Sequence, residues 1–218
     1  MKIFFIILIY CFSLNFEAKL KIEIIKGSEQ LPNISIVPFK SNLGRKFEYD
    51  VRNLINEKLT LFGEFNSLGL DQMLSFPYNE DSFYRRDWEL LSMDYVVFGE
   101  VYEEAENLVI YYSVADIALK RIILRGDIIG DKENIKLITK KISDRVYESI
   151  TGLKGVFNTK LAYILNPEPN KYSICISDID GDNENILFSS NSPLMSPDWS
   201  PDGLSLIHIS EPTRHRRI

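Results

Sequence analysis

Pro193-Leu-Met-Ser-Pro-Asp-Trp-Ser-Pro-Asp-Gly203 carries the most specific punctuation in the chain. Pro197 and Pro201 withhold backbone donors, and Ser200-Pro-Asp-Gly203 is a turn in which glycine takes φ > 0. Trp199 supplies a large apolar anchor ahead of the next strand. Punctuation of this kind fits a repeated four-stranded sheet unit that stacks radially, so the segment reads as the entry to a propeller blade. Just upstream, Thr159 to Leu165, Tyr172 to Ile176 and Ile186 to Ser189 read as strands, the first two separated by a turn at Asn166-Pro-Glu-Pro-Asn170. A blade takes roughly 40–45 residues. The 59 residues from Lys160 onward therefore hold about one blade and the start of a second, and cannot build a closed ring.

The pattern differs further toward the amino terminus. Leu20-Lys-Ile-Glu-Ile24 alternates as a half-buried strand does, and Gly27 ends it. Ile34 to Phe39 is a second strand, with Pro38 at its end. Phe47, Val51, Leu54, Ile55, Leu59 and Phe62 recur at steps of three and four, the stripe of a helix that Gly63 stops. A further helix carries Phe83, Trp88 and Leu91, with Arg85, Arg86, Asp87 and Glu89 toward water. Tyr95 to Val101, Leu108 to Ala115 and Arg121 to Ile129 form an antiparallel meander of three strands. Ile135, Ile138, Ile142, Val146 and Ile150 mark a long helix ended at Gly152 and Gly155. The sum is a small α/β domain with helices covering a mixed sheet.

Thr151-Gly-Leu-Lys-Gly-Val-Phe-Asn-Thr-Lys-Leu-Ala-Tyr-Ile164, Ser177-Asp-Ile-Asp-Gly-Asp-Asn183 and the Trp-Ser-Pro-Asp-Gly run occur in that order. Together with Ile34-Ser-Ile-Val-Pro-Phe39 and Asp94-Tyr-Val-Val-Phe-Gly-Glu-Val101, they closely resemble the TolB family, the periplasmic propeller proteins of the Tol-Pal envelope system. The resemblance covers residues 20–204. It implies a small mixed-sheet α/β amino-terminal domain followed by the start of a six-bladed β-propeller, truncated after about one blade. The expected layout is a signal peptide at 1–18, the α/β domain at 19–155, the first blade and start of the second at 156–204, and a foreign tail at 205–218. The resemblance also implies a non-enzymatic role in envelope integrity and cell division. The mature amino-terminal segment would bind a TolA-like inner-membrane protein, with Leu20, Ile22 and Ile24 as strand donors. The propeller would bind a Pal-like lipoprotein, mainly through blades beyond this chain, and the blade motif here comprises Pro197, Trp199, Ser200, Pro201, Asp202 and Gly203.

Composition agrees with an exported interaction protein. The chain of 218 residues carries 31 acidic and 25 basic side chains; without residues 1–18 and 205–218 the balance is 29 to 21. Such an acidic body argues against nucleic-acid binding by phosphate neutralisation. Lys2 precedes an uncharged run from Ile3 to Phe16 and then Ala18, the pattern of a secretory signal. The run is shorter than the roughly 20 residues that cross a bilayer, so no stable membrane anchor is expected after cleavage, and the resemblance implies a periplasmic location. Leu8-Ile-Tyr10 lacks the small residue expected before a lipid-modified Cys11. Cleavage then leaves Cys175 as a single packed apolar residue with no disulfide partner.

The only histidines, His208 and His215, lie in Leu204–Ile218, where the acidic bias gives way to three arginines. Ser205 to Arg214 resembles translated sequencing-adapter DNA, which is why 205–218 reads as foreign; a genuine basic tail is the alternative. Without those histidines the body cannot assemble a Ser-His-Asp or Cys-His site, and no cofactor, metal or phosphate-binding loop is expected. Asp178, Asp180 and Asp182 alternate as calcium ligands can, but Gly181 is fourth and Ser189 twelfth, so a tight turn is the preferred reading. Glu100, Glu103, Glu104 and Glu106 read as a solvated turn, and Phe98, Tyr102, Tyr111 and Tyr112 as packing residues. The rival function is a prolyl-oligopeptidase-type serine peptidase, whose propeller carries similar turns but which needs a G-x-S-x-G elbow in a hydrolase domain.

Overall fold

The computed structural model of the chain describes residues 31–42, 49–104, 107–194, 197–203 and 205–208. The amino-terminal elements are β1 (Asn33–Ile36), β2 (Lys40–Ser41), α1 (Val51–Thr60), β3 (Asn66–Ser67), α2 (Arg85–Leu90), β4 (Tyr95–Glu104), β5 (Asn107–Asp116), β6 (Arg121–Asp131) and α3 (Ile135–Thr151). The sheet runs β3-β1-β4-β5-β6, and β2 extends it by pairing with the far end of β4. β1 is parallel to both β3 and β4, whereas β4, β5 and β6 form the expected antiparallel meander. A mixed sheet results.

Strand alternation gives this sheet two cores. Ile34, Ile36, Val97 and Val101 point to one face, where Ile55 and Leu59 of α1 and Ile138, Ile142 and Val146 of α3 cover them. Val96 and Phe98 point to the other face and pack with Trp88 of α2, Met73 and Met93. Trp88, Ile34, Ile142 and Val146 are wholly excluded from solvent. Each such side chain contributes about 1.5–3 kcal/mol through apolar burial. The helix ends follow local chemistry: the Asp50 carboxylate accepts from Asn53 N–H at 3.0 Å to start α1. Gly152, at φ 74°, ends α3 with its N–H on the Glu148 carbonyl.

After the helix come β7 (Lys160–Glu168), β8 (Lys171–Asp178) and β9 (Asn185–Ser190), a three-stranded antiparallel sheet. β7 extends beyond the expected end at Leu165, because a register shift between Leu165 and Glu168 lets Pro167 sit on an edge strand without breaking the ladder. Cys175 is fully buried on β8, and that burial pushes its thiol pKa upward, as suits a packing residue. A hairpin of β10 (Pro197–Trp199) and β11 (Leu206–His208) begins a separate sheet. Mixed α/β domain followed by propeller-type strands is the architecture.

Candidate interaction sites and the domain junction

Leu20, Ile22 and Ile24 lie outside the described residues, as do the signal segment and the strand expected there. The blade motif is described throughout. Pro197 and Trp199 are on β10, with Trp199 partly buried, and residues 200–203 form the following turn. Gly203 N–H donates to the Ser200 carbonyl at 2.8 Å, and Gly203 adopts φ 68°, the conformation the sequence called for. The Ser200 side chain locks the loop: its Oγ accepts from Ser205 N–H at 3.0 Å and lies 2.5 Å from Asp202 Oδ1.

The densest polar constellation in the described residues joins α1 and α3 to the β7–β9 sheet. Ser177 to Asn183 is a tight turn at the end of β8. Gly181 N–H donates to the Asp178 carbonyl at 2.9 Å, Asp178 N–H donates to the Asp182 carbonyl at 2.9 Å, and Gly181 takes φ 84°. This geometry presents Asp178, Asp180 and Asp182 to lysine side chains. Lys58 Nζ of α1 lies 2.6 Å from Asp180, and Lys140 Nζ of α3 lies 3.0 Å from Asp180 and 2.9 Å from Asp178. Lys160 reaches Asp178 and Lys136 reaches Asp182, each at 2.9 Å.

Burial by itself would raise the Asp178 and Asp180 pKa values, yet both fall. Hydrogen bonds from Lys160, Lys140 and Asn183 hold Asp178 far below the usual carboxylate range. Those from Lys58 and Lys140 bring Asp180 down to about 2. Burial likewise opposes the Lys140 ammonium, but its bonds to Asp178 and Asp180 win and hold its pKa above the ordinary value. Asp178, Asp180 and Lys140 are therefore ionised at neutral pH.

The junction has an apolar half. Asp144 Oδ1 accepts from Phe157 N–H at 2.7 Å, and the buried Phe157 ring meets Tyr147 edge-on at 5.7 Å and stacks on Phe62 at 5.9 Å. Lys136, Lys140, Asp144 and Tyr147 recur at steps of four, four and three, so they form a second stripe on α3 beside the apolar one. The sequence reading found only the apolar stripe, because a polar stripe ordinarily means a solvated face. Lys58 did leave a signal: it stands three residues after Ile55 and four after Leu54, within the apolar face of α1. Gly155 completes the joint, since a Cβ there would lie 2.4 Å from Asp144 Cα. The expected aromatic packing holds for Phe98 and Tyr112, both buried, whereas Tyr111 is half exposed and touches Tyr102 edge-on.

Comparison with known proteins agrees with this architecture. Residues 20–123 match the TolB amino-terminal domain family, and residues 147–217 match the TolB beta propeller domain family. The Tol-Pal system protein TolB of Hahella chejuensis is 32% identical over 214 residues, covering 96% of this chain and 50% of that protein. The Tol-Pal system protein TolB of Blochmanniella floridana is 33% identical over 227 aligned positions, covering 100% of this chain and 49% of its own. The crystal structure of TolB from Acinetobacter baumannii superposes with a TM-score of 0.71 at 25% identity, over 84% of this chain and 44% of that one. The chain spans about half the length of the curated relatives it matches. Two adjacent TolB domain families matched in order, relatives in the Tol-Pal system and a shared fold together place the chain in the TolB family.

Proposed function

We propose that the chain serves the Tol-Pal system as a non-enzymatic periplasmic connector between a TolA-like inner-membrane protein and a Pal-like outer-membrane lipoprotein, in support of envelope integrity and cell division. The observation that carries this reading is the order of its two domain types, an α/β domain tied directly to propeller-type strands. An interaction protein needs its two partner surfaces held at a defined separation. A joint of buried ion pairs and packed aromatic rings supplies that stiffness.

The amino-terminal segment is the TolA-side element in this proposal. Leu20, Ile22 and Ile24 alternate with Lys19, Lys21 and Glu23, so one face can enter a partner's core while the backbone adds to its sheet. The Pal side belongs to propeller surfaces. The test uses the mature chain and the TolA-like protein encoded in the same genome. Isothermal titration should show saturable binding that deletion of residues 19–25 abolishes, with the thermal melt unchanged. Equal affinity of the deletion variant would overturn the assignment.

A further inference from the structure

On the face of the sheet opposite α1 and α3, an open cleft of about 750 Å³ lies between the segment entering α2 and the β5–β6 hairpin. Five cations line it, Arg85, Arg86, Lys120, Arg121 and Arg125, against two carboxylates, Glu80 and Asp116. Glu80 is paired with Arg125 through two contacts at 2.5 and 2.8 Å, whereas Asp116 accepts from Leu119 N–H at 2.7 Å, a neutral donor that cancels none of its charge and leaves it to offset one of the remaining cations. Arg85 is taken by Glu89 at 2.9 Å. The Arg86, Lys120 and Arg121 side chains have no ion pair or hydrogen bond among the described residues, and together they outnumber Asp116. An acidic protein thus concentrates unneutralised positive charge in one concavity.

Two further features define what would fit there. The floor is apolar, built from Ala115, Ile122 and Phe83, the last stacked on Phe98 at 5.1 Å, and Tyr84 stands on the rim 66% exposed. One wall is β6, which ends the sheet: among the described residues β5 is its sole partner strand, so its outer backbone groups are open to pairing apart from the Asp127 carbonyl, which Arg145 reaches at 3.5 Å. An isolated small anion would use only the charges. An extended polypeptide would use all three, with main-chain bonds to β6, an apolar side chain on the floor and carboxylates on the arginines.

We propose that this cleft is a second docking site, for an extended acidic segment of a partner protein that alternates carboxylate and apolar side chains. The chain's own amino-terminal segment is a poor occupant, because Lys19 and Lys21 would bring like charge to the cations. The site is independent of the TolA-side assignment, since it shares no residue with it.

The test is fluorescence anisotropy of a labelled Glu-Val-Asp-Phe-Glu-Val-Asp peptide titrated with the full chain, beside a counterpart with Gln and Asn in place of the acids. The acidic peptide should bind saturably, weaken as NaCl rises from about 50 to about 300 mM, and lose at least about tenfold in affinity in R86E/R121E. Tyr84→Ala should weaken it as well, while Lys141→Glu on α3 should leave it unchanged. Arg86, Arg121 and Tyr84 are exposed, so matched thermal melts are expected, and Arg121→Gln with Lys120→Gln gives a milder version of the same test. Undiminished binding to R86E/R121E, equal binding of the amide peptide, or no saturable binding would overturn the proposal. So would binding of an anionic polysaccharide such as polygalacturonate at these residues in place of the peptide.

Discussion

Lys140 Nζ sits 3.0 Å from Asp180 Oδ2, and the two side chains are only 5% and 6% exposed although they lie 40 residues apart, one on α3 and the other in the β8–β9 turn. A pair this dry strains neither partner only while each remains charged and bonded. The joint is therefore specific: it holds one relative arrangement of helix α3 and the β8–β9 turn, and it fails sharply when one member is removed.

Replacing Lys140 by Met leaves Asp178 and Asp180 buried with one fewer donor each. Lys160 and Lys58 remain, so the expected loss is about 2–4 kcal/mol, somewhat below that of a fully orphaned charge. Urea denaturation followed by far-UV circular dichroism measures it. A change below about 0.5 kcal/mol, the scale of an ordinary surface substitution, would show that the network contributes nothing.

Acid should loosen the joint in a defined window. The Asp180 carboxyl falls from its ordinary 3.8 to about 2 in the folded chain. A depressed folded pKa stabilises above the unfolded value, and that stabilisation disappears as pH falls through the folded value. The stability advantage of the wild-type chain over Asp180→Asn should therefore be full above about pH 5 and shrink toward zero as pH falls from about 4 to about 2. Thermal melts across that range test the sign, and a constant difference would contradict it.

Gly155→Ala should destabilise by about 1–3 kcal/mol, an overpacking cost, because the added methyl meets backbone and side-chain atoms of Asp144 at 2.4 and 2.5 Å. The same substitution at Gly152 acts differently: nothing crowds its Cβ position, and the cost there is the left-handed backbone at φ 74°. Double-mutant denaturation with Asp144→Ala should leave most of the Gly155 penalty in place, since Asp144 Cα and Cβ, at 2.4 and 2.8 Å, remain in the way.

Strand β9 ends its sheet with Ile186, Leu187 and Phe188 each at least half exposed. An apolar edge of this kind invites pairing between copies. Leu187→Lys should lower concentration-dependent association in sedimentation velocity without lowering the melting temperature.

Much of the fold was legible because its elements carry strong periodicity. The stripes of α1 and α3 and the three meander strands are long apolar patterns that tertiary context had no reason to override. The two-residue strands β2 and β3 were missed, since Lys40-Ser41 and Asn66-Ser67 hold no apolar alternation and pair only because the sheet is already there. Phe47, from which the stripe of α1 was counted, lies outside the described residues, and the Asp50 cap marks the helix start at Val51. The junction was least legible. Asp178, Asp180 and Asp182 were correctly read as a turn, but nothing local says that a turn's carboxylates will meet lysines from helices that lie 38 to 122 residues away in sequence. The basic cleft was hidden for the same reason: Arg86 and Arg121 look like two ordinary surface residues until the fold places them around one concavity.

The proposed TolA-side role depends on the amino-terminal segment acting as a strand donor. A synthetic peptide of residues 19–30, titrated into the isotope-labelled periplasmic domain of the TolA-like protein from the same genome, should produce saturable amide shifts concentrated along one edge strand. An Ile22→Asp peptide should produce none. Saturable binding by both peptides alike, or an unchanged spectrum with the native one, would contradict the central claim.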